Sequence, residues 1–383
     1  MKESEIVKNP SQNECGCTQM QNSSCCSGED NNIKSLKWII GNVNTPLGPV
    51  KKISGDWSRK DSLEQIKSRI SSFRMNYTVD PGLYAIGDPD ENSDIFVSSN
   101  YKLSFDILRK ELHGLNAWII VLDTKGINVW CAAGKGTFGT KELISKIKQS
   151  RIANIVRHKK IIVPQLGAPG IDSPQVKRIT GFRILFGPVR ASDIKEYIHN
   201  GYKATEVMRT VKFTMWDRFI LTPMELIPVF KKLPLFALII FILFGLTPAG
   251  IIFKSALLKG SPYLIALLAA ALAGAFLTPV LLPYIPFRSF SIKGWIMGIV
   301  TIGAIKFSTP LFNFNSPLLT IALFVFFPLL SSYIALQFTG ASTYTNISGV
   351  KREIKIGLPF YISGTIASLV IIIFYKLFQW SIL

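Results

Sequence analysis

The chain has 383 residues, enough for two or three domains, and a net charge of +19. Its basic residues form no arm and no stripe interleaved with aromatics, which argues against nucleic acid as a partner. Five cysteines with no CxxC pair argue against a disulfide scaffold and against a built-in iron–sulfur cluster, and the absence of an apolar h-region at the start argues against a signal peptide, so the thiols are expected reduced in the cytoplasm.

Residues 1–33 are rich in Asn, Gln, Ser and Glu and are expected to be a disordered tail. They carry Cys15, Cys17, Cys25 and Cys26, spaced to chelate a soft metal or simply incidental. Residues 34–230 alternate strand and helix signals. Leu83–Ile86 and Asp94–Val97 read as strands, Tyr101–His113 as a helix, Ala117–Asp123 and Ile127–Trp130 as strands, and Thr140–Gln149 as a helix. Lys160–Val163 is a predicted strand followed by the loop Pro164–Gly170. Pro174–Ile179, Arg183–Phe186 and Ser192–Asn200 continue the pattern as helix, strand and helix. Alternation at this spacing predicts βαβ units, a mainly parallel sheet of the Rossmann-like α/β class, and one ligand crevice at the strand ends.

Residues 231–383 read as an all-α transmembrane domain of five spans, near Leu233–Phe253, Pro262–Pro283, Ile292–Phe312, Pro317–Phe338 and Ile356–Phe378. After Glu225 the only acidic residue is Glu353. Lys231, Lys232, Arg288, Lys293, Lys351, Arg352 and Lys355 flank one side of the spans, against Lys254 and Lys259 on the other. That asymmetry predicts a multi-pass protein of the inner membrane with its soluble domain facing the cytoplasm. Lys306 lies within the third span near Thr309 and Pro310, and is expected to snorkel to the far interface. No span carries a run of Asp, Glu or His suited to a proton or cation path.

The chemistry concentrates in Asn128-Val-Trp-Cys131-Ala-Ala-Gly-Lys135. It places one thiol inside the α/β domain at a strand end, as ligand, nucleophile or packed core cysteine. Gly134–Gly139 formally matches GxGxxG, but the next strand ends in Pro164 and Gln165 rather than the carboxylate a dinucleotide site needs. A P-loop fails on Val129 and Gly136, which replace its first glycine and its Ser/Thr. His113, His158 and His199 sit in no nucleophile–base signature.

The Asn128–Lys135 run resembles the cap-helix motif of the membrane-bound corrinoid proteins of microbial mercury methylation. Asn100-Tyr-Lys-Leu-Ser104, Pro164–Gly170, Gly187–Ala191, Thr222-Pro-Met-Glu-Leu226 and the five spans share the likeness. The soluble part is in turn similar to the corrinoid-binding domain of the corrinoid iron–sulfur protein of acetyl-CoA synthesis. The cysteine-bearing tail departs from the family pattern.

The resemblance implies a cobalamin-type corrinoid with Cys131 as lower axial ligand of its cobalt. Asn128, Val129, Trp130, Ala132, Gly134 and Lys135 would form the cap beneath it, and Ser98 and Ser104 would lie near it. Gln165, Leu166, Gly167 and Ala168, with Gly187, Pro188, Val189 and Ala191, would wrap its nucleotide tail or amides. It further implies methyl transfer to Hg(II), a ferredoxin-like partner with two [4Fe–4S] clusters, a folate-linked methyl donor, and the lipid bilayer as anchor. The chemistry is consistent: a thiolate is the ligating form of cysteine, a helix start and Lys135 favour its charge, and a soft thiolate suits a transition metal. Two other functions remain open: a corrinoid methyl carrier of one-carbon metabolism with mercury an accidental acceptor, and a transport protein with a regulatory α/β domain, for which purified protein would hold no cobalt.

Overall fold

A computed structural model describes residues 38–380 except 249, 313, 315, 342, 343 and 346. The tail and its four cysteines lie outside the described residues. The chain starts with a hairpin, β1 (Ile39–Thr45) and β2 (Gly48–Ile53), followed by α1 (Arg59–Ile70) and a 3-10 turn, Ser72–Asn76. Then come β3 (Gly82–Ile86), β4 (Asp94–Ser99), α2 (Lys102–Glu111), β5 (Ala117–Leu122), α3 (Val129–Lys135) and α4 (Thr140–Ser150). The soluble part finishes with β6 (Lys160–Val163), α5 (Ser173–Thr180), β7 (Arg183–Phe186), α6 (Ile194–His199) and α7 (Glu206–Arg209).

The seven strands form one sheet in the order β1-β2-β3-β5-β4-β6-β7. Pairing is mainly parallel; β1–β2 and β3–β5 are antiparallel. β5, Ala-Trp-Ile-Ile-Val-Leu, is buried along its whole length because helices cover both sheet faces. Trp118, Ile120 and Leu122 face Ala132, Leu143 and Val176 of α3, α4 and α5. Ile119 and Val121 face Phe105 and Leu108 of α2 and Tyr197 of α6.

Two expectations change and one element is new. Ile127–Trp130 is not a strand: its apolar alternation imitates one, but Asn128 caps a helix that starts at Val129. Residues Gln165–Gly170 form a 3-10 turn rather than an open loop. The hairpin β1–β2, whose residues are mostly exposed and polar or glycine, went unread because it carries no strong period-2 pattern.

α1 begins in a capping box in which Ser58 and Asp61 bond each other's backbone. Burial pushes the Asp61 carboxyl up, but hydrogen bonds from Ser58 and the Arg109 charge outweigh it and hold the group below the usual 3.8. A depressed acid stabilises the fold above its unfolded pKa, and that contribution is lost as pH falls through the folded value. Thermal melts stepped downward from pH 3.8 should therefore lose stability more steeply in wild type than in Asp61→Asn. Parallel profiles would refute this role for Asp61.

The rest of the chain is helical. α8 (Met215–Gly245) leads through a small hairpin, β8 (Leu246–Thr247) and β9 (Gly250–Ile251), to α9 (Phe253–Leu272), a π-turn at Ala273–Leu277 and α10 (Thr278–Val280). α11 (Phe290–Ser308), α12 (Pro317–Gln337) and α13 (Ile347–Gln379) follow. Five helices are long and apolar enough to cross a membrane. The first begins at Met215, not Leu233, because the Thr214–Asp217 capping box starts it early, and it stops at Gly245, before the hairpin. Gly294 and Gly298 let α11 press on α12: a Cβ on Gly298 would sit 2.7 Å from Pro328 Cα.

Two basic side chains tie the helix ends. Arg218 Nε and Nη2, near the start of α8, donate to the Val280 carbonyl at 3.1 and 3.0 Å. Lys376 Nζ, near the end of α13, donates to the carbonyls of Phe244 and Leu246 at the finish of α8. The starts of α11 and α13 therefore lie at the end of the bundle that carries the soluble domain. Lys306 sits in the last turn of α11, at the opposite end, where Nζ donates to the Phe312 carbonyl and lies 5.5 Å over the Phe314 ring.

Candidate functional site

The parallel strands run β5-β4-β6-β7 across the sheet. From β4 the chain passes outward to β5, then crosses back to β6 on the other side. The segments leaving β4 and β6 diverge, which opens a crevice at their carboxyl ends. A cleft of about 160 Å³ lies there. Val97 and Ser98 close it from β4, Ile162 and Pro164 from β6, and Ile107, Leu108 and Ile194 from the helices beneath.

Of the residues expected around a ligand, Ser98, Ser104, Val129, Leu166, Gly187, Pro188, Val189 and Ala191 all line this cleft. Gln165, Gly167 and Ala168 do not. The Gln165 N–H donates to the Pro188 carbonyl at 3.4 Å and ties the two loops. Gly167 lies against the Phe138 ring, where a Cβ would approach to 2.4 Å. The Ala168 carbonyl accepts the Ile171 N–H. Leu108, Ile162 and Ile194 were missed because each reads as ordinary core; only their place at strand and helix ends marks them.

α3 stands beside the cleft with its first residue, Val129, in the lining. The turn feeding it is held by Asn100, whose Oδ1 accepts Thr124 N, Thr124 Oγ1 and Gly126 N at 3.0, 2.8 and 3.0 Å. Gly126 takes φ +69°, which favours glycine. Asn128 then caps α3, its Oδ1 accepting Cys131 N–H at 2.9 Å. Asn100 and Thr124 thus position the cysteine across a gap of 24 residues; Asn100 was noticed only as part of the family-like run Asn100–Ser104.

Ala132 and Ala133 face the core, and Ala132 is fully buried, so it supports the helix rather than lining its open side. The outward side carries Trp130, Cys131, Gly134 and Lys135. Trp130 is 40% exposed and the Cys131 thiol is free and partly exposed. A Cβ on Gly134 would meet no heavy atom within 4 Å. Gly136, at φ +79°, ends the helix. The formal GxGxxG thus spans the end of one helix and the start of the next, not a strand-to-helix turn.

None of the three histidines can serve Cys131 as a base. His113 Nδ1 lies 3.3 Å from Asp56, His158 contacts the Ser93 carbonyl before β4, and His199 ends α6. All three occupy the amino edge of the parallel strands, while Cys131 is at the carboxyl edge. Among the described residues no group of three His, Cys, Asp or Glu could hold a metal ion.

Residues 71–198 match the family model "CO dehydrogenase/acetyl-CoA synthase delta subunit". The stretch includes the cleft and α3. The gamma subunit of the acetyl-CoA decarbonylase/synthase complex of Methanothermobacter thermautotrophicus is 35% identical over 127 residues, 33% of this chain and 27% of that protein. The corresponding subunit of Methanopyrus kandleri is 28% identical over 144 residues, 37% of this chain and 31% of that protein. The large subunit of the corrinoid/iron–sulfur protein of Moorella thermoacetica is 27% identical over 146 residues, 36% of this chain and 32% of that protein. The chain spans about a third or less of the length of these curated relatives. The soluble domain is thus similar to corrinoid proteins of acetyl-CoA metabolism.

The residues present fit such a group. The donor is soft, its helix face is open, an indole bounds it, and Gly134 leaves room for a flat ring. At about 160 Å³ the cleft is smaller than usual small-molecule pockets, so it suits an appendage of a large cofactor rather than its whole.

Proposed function

We propose that residues 34–230 form a cytoplasmic Rossmann-like corrinoid-binding domain for methyl transfer, held at the inner membrane by residues 231–383. The observation that carries this reading is the placement of a free, partly exposed Cys131 thiol on an open helix face beside the cleft at the β4/β6 crossover. The similarity of residues 71–198 to corrinoid proteins supports it independently. A bound corrinoid would supply a cobalt-carried methyl group. Cys131 would hold its cobalt through the thiolate, Asn128 would hold the cysteine backbone in place, and Trp130, Gly134 and Lys135 would border the ring. Ser98, Ser104 and the segment Gly187–Ala191 would receive its appendage.

The acceptor we propose is Hg(II), giving methylmercury. It rests on the likeness of Asn128–Lys135 to the mercury-methylation cap helix, and on chemistry. Hg(II) is an electrophile, so the methyl must leave with electron density, and an anionic thiolate donor favours that more than a neutral ligand does. Reduction between turnovers would come from a ferredoxin-like protein with two [4Fe–4S] clusters, and methyl groups from a folate-linked donor. A second reading, a methyl carrier of one-carbon metabolism with mercury an accidental acceptor, is favoured by the names of the relatives.

Full-length protein purified anaerobically should hold cobalt as corrinoid, and the methyl-loaded form should yield methylmercury when given Hg(II). Cells lacking the protein should lose methylmercury formation while one-carbon flux continues; lost flux would favour the carrier. Gly187→Val probes the cleft. A Cβ at Gly187 already meets Ile162 Cγ2 at 3.1 Å, and overpacking by about 1–3 kcal/mol should cut corrinoid retention roughly tenfold. Unchanged retention would move the cofactor elsewhere, and protein folded without corrinoid would end the proposal.

A further inference from the structure

A cavity of about 980 Å³ opens between the starts of α11 and α13 and the late turns of α12. It lies at the end of the bundle that carries the soluble domain. Arg288 and Arg352 stand at its exposed edge. Among the described residues, neither guanidinium has an ion-pair or hydrogen-bond partner. Glu353 also lines the cavity, but its carboxylate is engaged: Oε2 accepts from Ser289 Oγ at 2.9 Å, Ser291 N at 3.0 Å and Ser291 Oγ at 2.9 Å. The site thus presents two cations against one carboxylate, a net positive charge, near the amino ends of two long helices, whose dipoles add positive potential.

The walls are of another character. Trp295, Ile356 and Phe360 line the cavity and are 43, 55 and 63% exposed on a helix surface apolar enough to meet lipid tails. A free anion would use the arginines alone. A molecule with an anionic head and an apolar tail would use both.

We propose that this cavity binds one acidic phospholipid, its phosphate between Arg288 and Arg352 and an acyl chain along Trp295, Ile356 and Phe360. The lipid belongs to the leaflet on the soluble-domain side, where basic groups near the head groups attract anionic lipid.

The test is to purify the full-length protein in mild detergent and quantify co-purifying phospholipids by mass spectrometry. Wild type should retain acidic phospholipid stoichiometrically and exchange it for added phosphatidylglycerol but not phosphatidylcholine. Arg288→Ala and Arg352→Ala should each weaken retention roughly fivefold, the factor one basic residue near an anionic surface contributes. The Arg288→Lys/Arg352→Lys pair should retain most of it. Equal acidic-lipid content in wild type and the double alanine variant would overturn the proposal. So would displacement by inorganic phosphate as readily as by phosphatidylglycerol, which would mark a free-anion site. If the alanine variants do not fold, exchange on wild type alone decides: no preference for the acidic lipid refutes it.

Discussion

Cys131→Ala is expected to lower methyl transfer to Hg(II) by more than about 100-fold, the upper end of the loss from removing a mere outer-shell partner of a metal ligand. The fold should survive. Cys131 contributes its backbone N–H to the Asn128 cap, which alanine keeps, and the core face of α3 belongs to Ala132 and Ala133. Corrinoid should remain partly bound through the cleft, with an altered absorption spectrum. Cys131→His separates ligation from charge, since imidazole is a ligand without the negative charge. It should restore a ligand-type spectrum while methylmercury formation stays low. Full activity in Cys131→Ala would remove the thiol from the mechanism, and full activity in Cys131→His would show that its charge is dispensable.

Asp106→Ala should produce the largest loss of stability in the soluble domain. Asp106 is 1% exposed. It accepts from Lys102 Nζ on both oxygens at 2.7 Å, from Arg109 Nε at 2.7 Å and from the Tyr77 hydroxyl at 3.0 Å. Arg109 keeps other partners after the change, Asp61 at 2.6 Å and the Ser54 and Asp56 carbonyls. Lys102 keeps the faces of Trp38 and Tyr77, at 5.1 and 5.4 Å, and the more distant Glu64 charge, and burial already pushes its pKa down despite the carboxylates. Removing one member of such a buried network costs about 3–5 kcal/mol. For a domain of this size that is a melting point lower by roughly 10 °C.

The same network anchors the inner face of α2 to α1, and α2 carries Ser104 into the cleft. Corrinoid retention should therefore fall together with stability. Lys102→Met combined with Asp106→Leu should recover much of the loss, because well-packed apolar groups often replace a buried ion pair without penalty. A melting point within a degree or two of wild type for Asp106→Ala would show that the network contributes little.

Much of this architecture is legible in the chain because its signals are local. The apolar runs of β4, β5, β6 and β7 mark buried strands, the segments after Lys232 mark helices long and apolar enough to cross a membrane, and a cysteine between an asparagine cap and a glycine marks the point on which the proposed function rests. Where local signals conflict, they mislead. Ile127-Asn-Val-Trp130 has the alternation of a strand, and only the Asn128 side chain bonded to Cys131 N–H makes it the start of a helix. The early start of α8 was hidden by Pro223, Pro228 and Pro234, which look like breakers yet lie within the helix.

The site itself required the tertiary structure. Ser98, Val129, Leu166 and Gly187 share one cleft because β4 and β6 are neighbours while β5 lies on the other side of β4, an order no local pattern encodes. Asn100 reaches Thr124, and Arg109 reaches Asp61 across 48 residues. Residue type and periodicity report what each segment can do with its near neighbours. Which distant segments meet is settled by packing the whole chain at once, since burying each apolar face and satisfying each buried polar group depends on partners far along the sequence.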